Sequence, residues 1–218
     1  MPQLDGPRWG PRSGGKPKQL VVLCHGLGAD GQDLIDLAPG WGNTLPDAAF
    51  VAPDAPEECD MGPFGRQWFS VQDRSEPMRL AGVRAAAAVL DAFIDAELAR
   101  FGLPADAYAL MGFSQGAMTC LFAGLRRAVP PRVIMAYSGG LIAPETLAAE
   151  MRNKAPVLLV HGEDDPVVLV NHSTEAAAAL EAVGVPVDMN FRPFLEHGID
   201  EEGIDLGAAA LKRAFSGM

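Results

Sequence analysis

The sequence is poor in cysteine and in basic charge, and each shortage excludes a class of protein. Its 218 residues include only three cysteines, Cys24, Cys59 and Cys120, without a CxxC pair. A disulfide framework or a structural zinc site is therefore not expected. The low cysteine content instead predicts a reducing, cytoplasmic environment. Lysine and arginine number 17 against 28 aspartates and glutamates, a net charge of −11. Because such a chain repels phosphate polyanions, no nucleic-acid partner is expected.

Signals for export or membrane insertion are also missing. Residues 1–17 are rich in proline and glycine and lack the apolar core of a signal peptide, so we predict a flexible, exposed lead-in before one domain over 18–218. Residues 107–125 carry no charge over nineteen positions and resemble a membrane span. However, Gly112 and Gly116 divide this run into a strand and a helix, so no stable membrane insertion is expected.

Short apolar runs alternate with longer segments at helical spacing. The runs are nearly continuous, as in QLVVLC and PVLLV, which is typical of strands covered on both faces. The alternation predicts a mostly parallel sheet flanked by helices on both faces. The predicted strands are 19–24, 49–52, 108–111, 133–137, 157–160 and 187–192. The predicted helices are 31–38, 78–101, 115–127, 144–151, 171–183 and 201–215.

One long segment does not fit the alternation. Residues 53–77 contain four prolines and no sustained periodicity, and loops of this length usually serve as lids or binding loops. Its aromatic residues Phe64, Trp68 and Phe69 are costly to leave in water. They either anchor the loop on the core or line an apolar pocket.

A nucleophile elbow is the strongest motif. Gly112-Phe113-Ser114-Gln115-Gly116 reads G-x-S-x-G and stands between a predicted strand and a predicted helix. A strand that turns sharply into a helix exposes the serine hydroxyl at the sheet edge, and glycine is needed on both sides to avoid collisions. The sequence therefore predicts that Ser114 is a nucleophile.

A serine nucleophile needs a histidine base that a carboxylate orients. In this architecture the order along the chain is serine, acid, histidine. Of the four histidines, His197 follows the last predicted strand, at the sheet edge where ligand sites collect, and it is the favoured base. For the acid, Pro166 restricts the backbone of Asp165, which makes Asp165 the first candidate and Asp164 the fallback.

A glycine-rich loop after the first strand admits two interpretations. Gly26, Gly28 and Gly31 satisfy G-x-G-x-x-G, and Asp54 follows 23 residues later, as in a dinucleotide-binding oxidoreductase. In the alternative interpretation, a hydrolase, the loop supplies the Leu27 amide as one oxyanion donor beside the amide of Gln115. The hydrolase interpretation is favoured for two reasons. The carboxylate of Asp30 would repel a pyrophosphate bound in the loop, and the dinucleotide interpretation leaves the nucleophile elbow at Ser114 unexplained.

Taken together, these motifs resemble the carboxylesterase/phospholipase family, which includes acyl-protein thioesterases and lysophospholipases. The resemblance runs from about residue 18 to the end of the chain. The residues that carry it are His25-Gly26-Leu27-Gly28-Ala29-Asp30-Gly31, Trp68-Phe69, Gly112-Phe113-Ser114-Gln115-Gly116-Ala117, His161-Gly162-Glu163-Asp164-Asp165-Pro166-Val167-Val168 and His197-Gly198.

This resemblance implies an α/β-hydrolase fold with no large cap domain, no cofactor and no metal. It implies a Ser114–Asp165–His197 triad and oxyanion amides at Leu27 and Gln115. A small-molecule ester or lipid-like substrate of short to medium acyl length would then contact Trp68, Phe69 and Val168, with Leu27, Met61 and Phe64 as further pocket candidates. A homodimer is compatible with the family.

Two residues depart from the family pattern. Ser70 stands where an acid commonly follows Trp-Phe, and Leu169 stands where proline usually follows DPVV. Because both lie beside the expected acyl pocket, they bear on substrate preference rather than on the triad.

Overall fold

A computed structural model describes residues 4–216 of the chain. Within these residues one seven-stranded sheet forms the centre, in the order β1-β3-β2-β6-β7-β8-β9, and a two-stranded sheet β4-β5 lies apart from it. All neighbours in the large sheet are parallel except β1 and β3. The strands are β1 Arg8–Trp9, β2 Gln19–Cys24, β3 Ala48–Val51, β4 Glu57–Glu58, β5 Arg66–Gln67, β6 Tyr108–Phe113, β7 Ile134–Tyr137, β8 Val157–Gly162 and β9 Val187–Arg192.

Helices cover both faces of the sheet. They are α1 Gln32–Ile35, α2 Ala38–Trp41, α3 Glu76–Phe101, α4 Gln115–Arg126, α5 Leu147–Glu150, α6 Asn171–Ala182 and α7 Glu201–Phe215. Side chains of α3, α4 and α6 pack on one face, and those of α1, α2 and α7 pack on the other. Along β2, Leu20 and Val22 enter the first core and Val21 and Leu23 enter the second, as the two-residue period of a strand requires. The predicted mostly parallel sheet with helices on both faces is confirmed.

The beginning of the chain differs from the expected exposed lead-in. Residues 1–3 lie outside the described residues, but Leu4 is buried and Arg8–Trp9 pair with β3. The Trp9 ring packs edge-on against Phe50 at 5.9 Å between centroids. An arginine and a tryptophan can therefore add an edge strand even where proline and glycine dominate the composition, because the sheet supplies the hydrogen-bond partners.

Two further segments differ in detail from the prediction. The helix predicted over 31–38 is instead two four-residue helices, α1 and α2, with Pro39 at the start of the second. The irregular segment 53–77 contains the hairpin of β4 and β5, which periodicity could not indicate because each strand has only two residues.

The uncharged stretch 107–125 is divided as predicted, into strand β6 and helix α4. Of the helices found between residues 4 and 216, none is both long and apolar enough to be a candidate membrane span.

Candidate functional site

Ser114 occupies a strained turn at the carboxyl end of β6. Its φ of 54° and ψ of −117° lie outside the regions that most side chains adopt, and α4 begins at the next residue. The Ser114 amide donates to the Tyr137 carbonyl at 2.9 Å, which ties the turn to the neighbouring strand β7. The elbow predicted from the sequence is therefore present, with Ser114 at the wall of a cavity.

The two glycines of the motif are required by backbone contacts. A Cβ atom on Gly116 would lie 2.0 Å from the Cys24 carbonyl oxygen, and one on Gly112 would lie 2.4 Å from the Gly116 backbone. The first turn of α4 thus presses directly against the end of β2. No flexible side chain is available to move away at either place.

Replacing Gly116 with alanine is therefore expected to destabilise the fold strongly. The clash is with backbone, so we expect a loss of about 3 kcal/mol and a fall in Tm of roughly 6–12 °C, measured by thermal unfolding followed by circular dichroism. Gly40→Ala is the matched control, since nothing lies within 4 Å of the added carbon. Equal melting temperatures for the two variants would contradict this account of the elbow.

Asp165 and His197 form a close pair beside the cavity. His197 Nδ1 lies 2.6 Å from Asp165 Oδ2 and donates its proton there, so Nε2 is left as the acceptor nitrogen. The His197 ring also packs against Phe113, the residue before Ser114, at 4.8 Å between ring centroids. Ser114 and His197 line the same cavity. The structure thus bonds two of the three predicted triad residues, Asp165 and His197, and places the third, Ser114, in the lining of the same cavity as His197.

The carboxylate of Asp165 is enclosed and fully bonded. Its Oδ1 accepts from the amides of Val167 and Val168 at 2.8 and 2.9 Å, and no part of the side chain is exposed. Burial alone would raise the pKa of Asp165, but the bonds from His197 and the two amides outweigh burial and lower it. Asp165 therefore stays ionised at neutral pH. Asp164, the fallback candidate, is exposed.

A second histidine supports this carboxylate, and the sequence analysis did not assign it a role. His161 Nε2 lies 2.7 Å from the Val168 carbonyl and 3.3 Å from Asp165 Oδ2, so this nitrogen carries the proton. Nδ1 lies 2.6 Å from the buried Ser173 hydroxyl. Burial lowers the pKa of His161, which keeps the ring neutral. The only sequence signal was its position at the end of a strand, four residues before Asp165.

The amide of Gln115 lies at the start of α4, where the first-turn N–H groups have no partner inside the helix. The amide of Leu27 lies across the cavity in the loop after β2, and no hydrogen bond between residues 4 and 216 uses it. His25 holds this loop in place, because its Nδ1 donates to the Gly26 carbonyl at 2.7 Å and its Nε2 accepts from the Ala55 amide at 3.0 Å. Burial lowers the pKa of His25, in agreement with the neutral form that these bonds require.

The side chain of Gln115 fixes one wall of the cavity, a role that the motif did not reveal. Its carbonyl oxygen accepts from the Trp68 amide at 2.8 Å, and its NH₂ donates to the Phe69 carbonyl at 2.7 Å. The Trp68 indole N–H in turn donates to the His25 carbonyl at 2.9 Å. The irregular segment 53–77 is thereby bonded to the elbow and to the Leu27 loop.

The cavity itself has a volume of about 390 Å³, near the small end of ligand pockets. Of the predicted pocket residues, Leu27, Phe69 and Val168 line it. Trp68 is buried and lies outside the lining, so it acts as an anchor for the segment. Met61 and Phe64 are exposed, at 59% and 85%, and also lie outside the lining. Ser70, one of the departures from the family pattern, donates to Asp60 instead of facing the cavity.

The structure gives no support to the dinucleotide interpretation of the glycine loop. The Gly28 amide donates to Arg66, and a Cβ on Gly65 would lie 2.0 Å from the Gly28 carbonyl oxygen, so β5 covers the place that a pyrophosphate would need. Asp54, the expected partner of a ribose, accepts from the Gly31 amide at 2.8 Å. Within the described residues, no group of three or more His, Cys, Asp or Glu side chains is arranged so that it could hold a metal ion.

Comparisons with known proteins find relatives over most of the chain. Residues 12–210 match the model of the phospholipase/carboxylesterase family. Esterase YpfH of Escherichia coli is 32% identical over 201 residues, which cover 89% of this chain and 82% of that protein. Acyl-protein thioesterase 1 of Schizosaccharomyces pombe is 33% identical over 158 residues, 68% of this chain and 69% of that protein.

Solved structures show the same architecture. The crystal structure of esterase PE8 matches with a TM-score of 0.93 and 42% identity, covering 98% of this chain and all of that one. Acyl-protein thioesterase 2 of Zea mays matches with a TM-score of 0.75 and 27% identity, over 96% and 99% of the two chains. These likenesses extend over nearly the whole length of each protein, as expected of chains that share one fold.

Proposed function

Because the chain belongs to the phospholipase/carboxylesterase family, has the α/β-hydrolase fold and is a carboxylic ester hydrolase, we propose that it acts through a Ser114–His197–Asp165 triad and an acyl-enzyme. The observation that carries this proposal is the His197–Asp165 bond of 2.6 Å beside the cavity that exposes Ser114. The ionised carboxylate accepts from Nδ1 and so selects the ring tautomer in which Nε2 is the free acceptor, as a general base requires.

In the first step, Ser114 Oγ attacks the ester carbonyl carbon while His197 Nε2 takes its proton. The oxyanion that forms accepts hydrogen bonds from the amides of Leu27 and Gln115, and each such donor is worth about 3 kcal/mol in comparable sites. The intermediate then expels the alcohol, which leaves with the proton from His197. Water repeats the sequence on the acyl-enzyme, releasing the acid and the free Ser114 hydroxyl.

We propose carboxylic esters of short to medium acyl length as substrates, since the cavity is small and the wall residues Leu27, Phe69 and Val168 are apolar. Thioesters are the second candidate class. The named likeness to acyl-protein thioesterases favours them, and thioester hydrolysis would use the same steps with a thiol as the leaving group.

Hydrolysis of p-nitrophenyl esters from acetate to palmitate tests the proposal. We expect kcat/KM to peak at a short or medium chain and to fall for palmitate, because the cavity cannot hold the longest chain. A fluorophosphonate should add to the protein once and inactivate it, and peptide mass spectrometry should locate the adduct on Ser114. Labelling at another serine, or hydrolysis that survives complete labelling, would refute the mechanism.

A further inference from the structure

The cavity that Ser114 and His197 line has a second chemical character, which comes from three of its other lining residues. Arg74, Arg79 and His172 are among its lining residues, and no aspartate or glutamate from the described chain is. Arg74 belongs to the segment before α3, Arg79 to the first turns of that helix, and His172 to the start of α6. Three nitrogen-bearing side chains from separate elements thus face one space next to the reacting groups.

The two arginines lack the partners that arginines have elsewhere in this protein. Most arginines of the chain form ion pairs with carboxylates; Arg8, Arg127 and Arg192 are examples. For Arg74 the only side-chain bond among residues 4–216 is a long one of 3.4 Å to the Val71 carbonyl, and Arg79 has none. Arg12, Arg66 and Arg152 also form no ion pair within the described residues, but none of them lines the cavity, whereas Arg74, which is exposed, and Arg79, which is half-buried, both do.

Neither arginine is placed to stabilise the amino end of the nearby helix α3. The helix α3 begins at Glu76, and its amino end carries partial positive charge that favours acidic neighbours. Glu76 meets that preference at the first position of the helix, whereas Arg74 and Arg79 on either side of it do not. The nearby carboxylate of Asp73 accepts from the Ser75 amide at 2.9 Å, forms no ion pair with either arginine within the described residues and does not line the cavity.

We infer that Arg74 and Arg79 form an anion-binding subsite, so that the preferred substrates are esters bearing a carboxylate or phosphate group. This inference rests on the proposed ester hydrolysis at Ser114. A guanidinium group binds either anion through two parallel N–H bonds, and His172, whose Nδ1 lies 3.9 Å from Glu175, lines the same cavity. Such binding would hold the substrate at two points, the oxyanion amides and the arginines. The apolar wall between them, including Phe69 and Met118, would cover the carbon chain.

The whole-chain charge of −11 repels anions at long range, but salt screens that field beyond about 8–10 Å. Direct contact with the two arginines acts over a shorter distance than this. The local charge of the site therefore decides the preference.

Two pairs of matched esters test the inference and distinguish the position of the anion. In the acyl pair, mono-p-nitrophenyl suberate carries a terminal carboxylate that p-nitrophenyl octanoate lacks. In the alcohol pair, the octanoate of 4-hydroxybenzoic acid is compared with the octanoate of its methyl ester. For each pair the ratio of kcat/KM, charged over neutral, is measured in the wild type, in Arg74→Gln, in Arg79→Gln and in the double variant.

We expect a charged-over-neutral ratio above one in at least one pair, reduced about three- to tenfold by each single variant and further by the double variant. The ratio should also fall as sodium chloride is raised. Arg152→Gln is the matched control, because Arg152 is exposed, lies outside the cavity lining and changes the net charge equally. It should leave both ratios within about twofold.

The outcomes separate the inference from the proposed function. If the neutral esters are cleaved but neither ratio changes in the double variant, the anion subsite is refuted while the hydrolase stands. A ratio that falls equally in Arg152→Gln would also refute it, since the effect would then come from net charge alone. If no ester is cleaved by the wild type, the proposed function fails and the inference fails with it.

Discussion

Replacing Ser114 with alanine is expected to lower kcat for p-nitrophenyl octanoate by about 10⁴- to 10⁶-fold, because the bond-forming oxygen is removed and only the oxyanion amides and binding remain. The measurement is release of p-nitrophenolate under saturating substrate. Thermal unfolding should show a folded protein, since the Ser114 hydroxyl forms no bond on which the packing of the core depends.

Ser138 provides a matched control for this substitution. It also follows a strand, β7, which is the neighbour of β6, and it also has a positive φ, 47° against 54° for Ser114. Its hydroxyl is buried without a partner in the described structure, and the residue does not line the cavity. Ser138→Ala should keep nearly full activity. Comparable losses in both variants would mean that the strained backbone, and not the Ser114 hydroxyl, is what activity requires.

Replacing Asp165 with asparagine is expected to lower kcat by about 10³- to 10⁴-fold. An amide in this place keeps the shape but can present N–H to His197, which would turn the ring to the tautomer that cannot accept the serine proton at Nε2. The carboxylate also stabilises the imidazolium that forms during the reaction. Both effects act on kcat, so KM for neutral esters should change little.

Asp164→Asn is the control for the acid. Asp164 is the adjacent carboxylate and is exposed, whereas Asp165 is buried and bonded to His197. We expect its kcat to stay within a few-fold of the wild type at equal protein stability. A larger loss of kcat in Asp164→Asn than in Asp165→Asn would identify Asp164 as the acid and contradict the proposed triad.

Much of the fold could be predicted because its signals are local. Continuous apolar runs such as those of β2 and β8 require cover on both faces, and the glycines around Ser114 require a sharp strand-to-helix turn. The elements that could not be predicted were strands too short to show a periodic pattern in the sequence. Strands β1, β4 and β5 have two residues each, and only their partners across space make them strands.

The candidate catalytic residues could be predicted because their order along the chain and their positions after strands indicate where they lie in the fold. Ser114, Asp165 and His197 each follow a strand of one parallel sheet, so their side chains had to collect at one edge. The supporting residues carried no such pattern. His25 and His161 precede glycines after strands, and only their buried contacts, to Gly26 and to Val168, show what each ring holds in place.

The sequence by itself determined the doubly covered sheet, the elbow and the family, because these depend on residue types at short, regular spacings. Only the tertiary structure decided which residues face the cavity. Trp68 is buried outside the cavity lining and Met61 and Phe64 are exposed, whereas Arg74 and Arg79 line the same cavity as Ser114. The physical reason is that a side chain's environment depends on elements far apart in the chain, and composition records only the total charge of −11. A negatively charged protein can therefore carry a locally basic cavity.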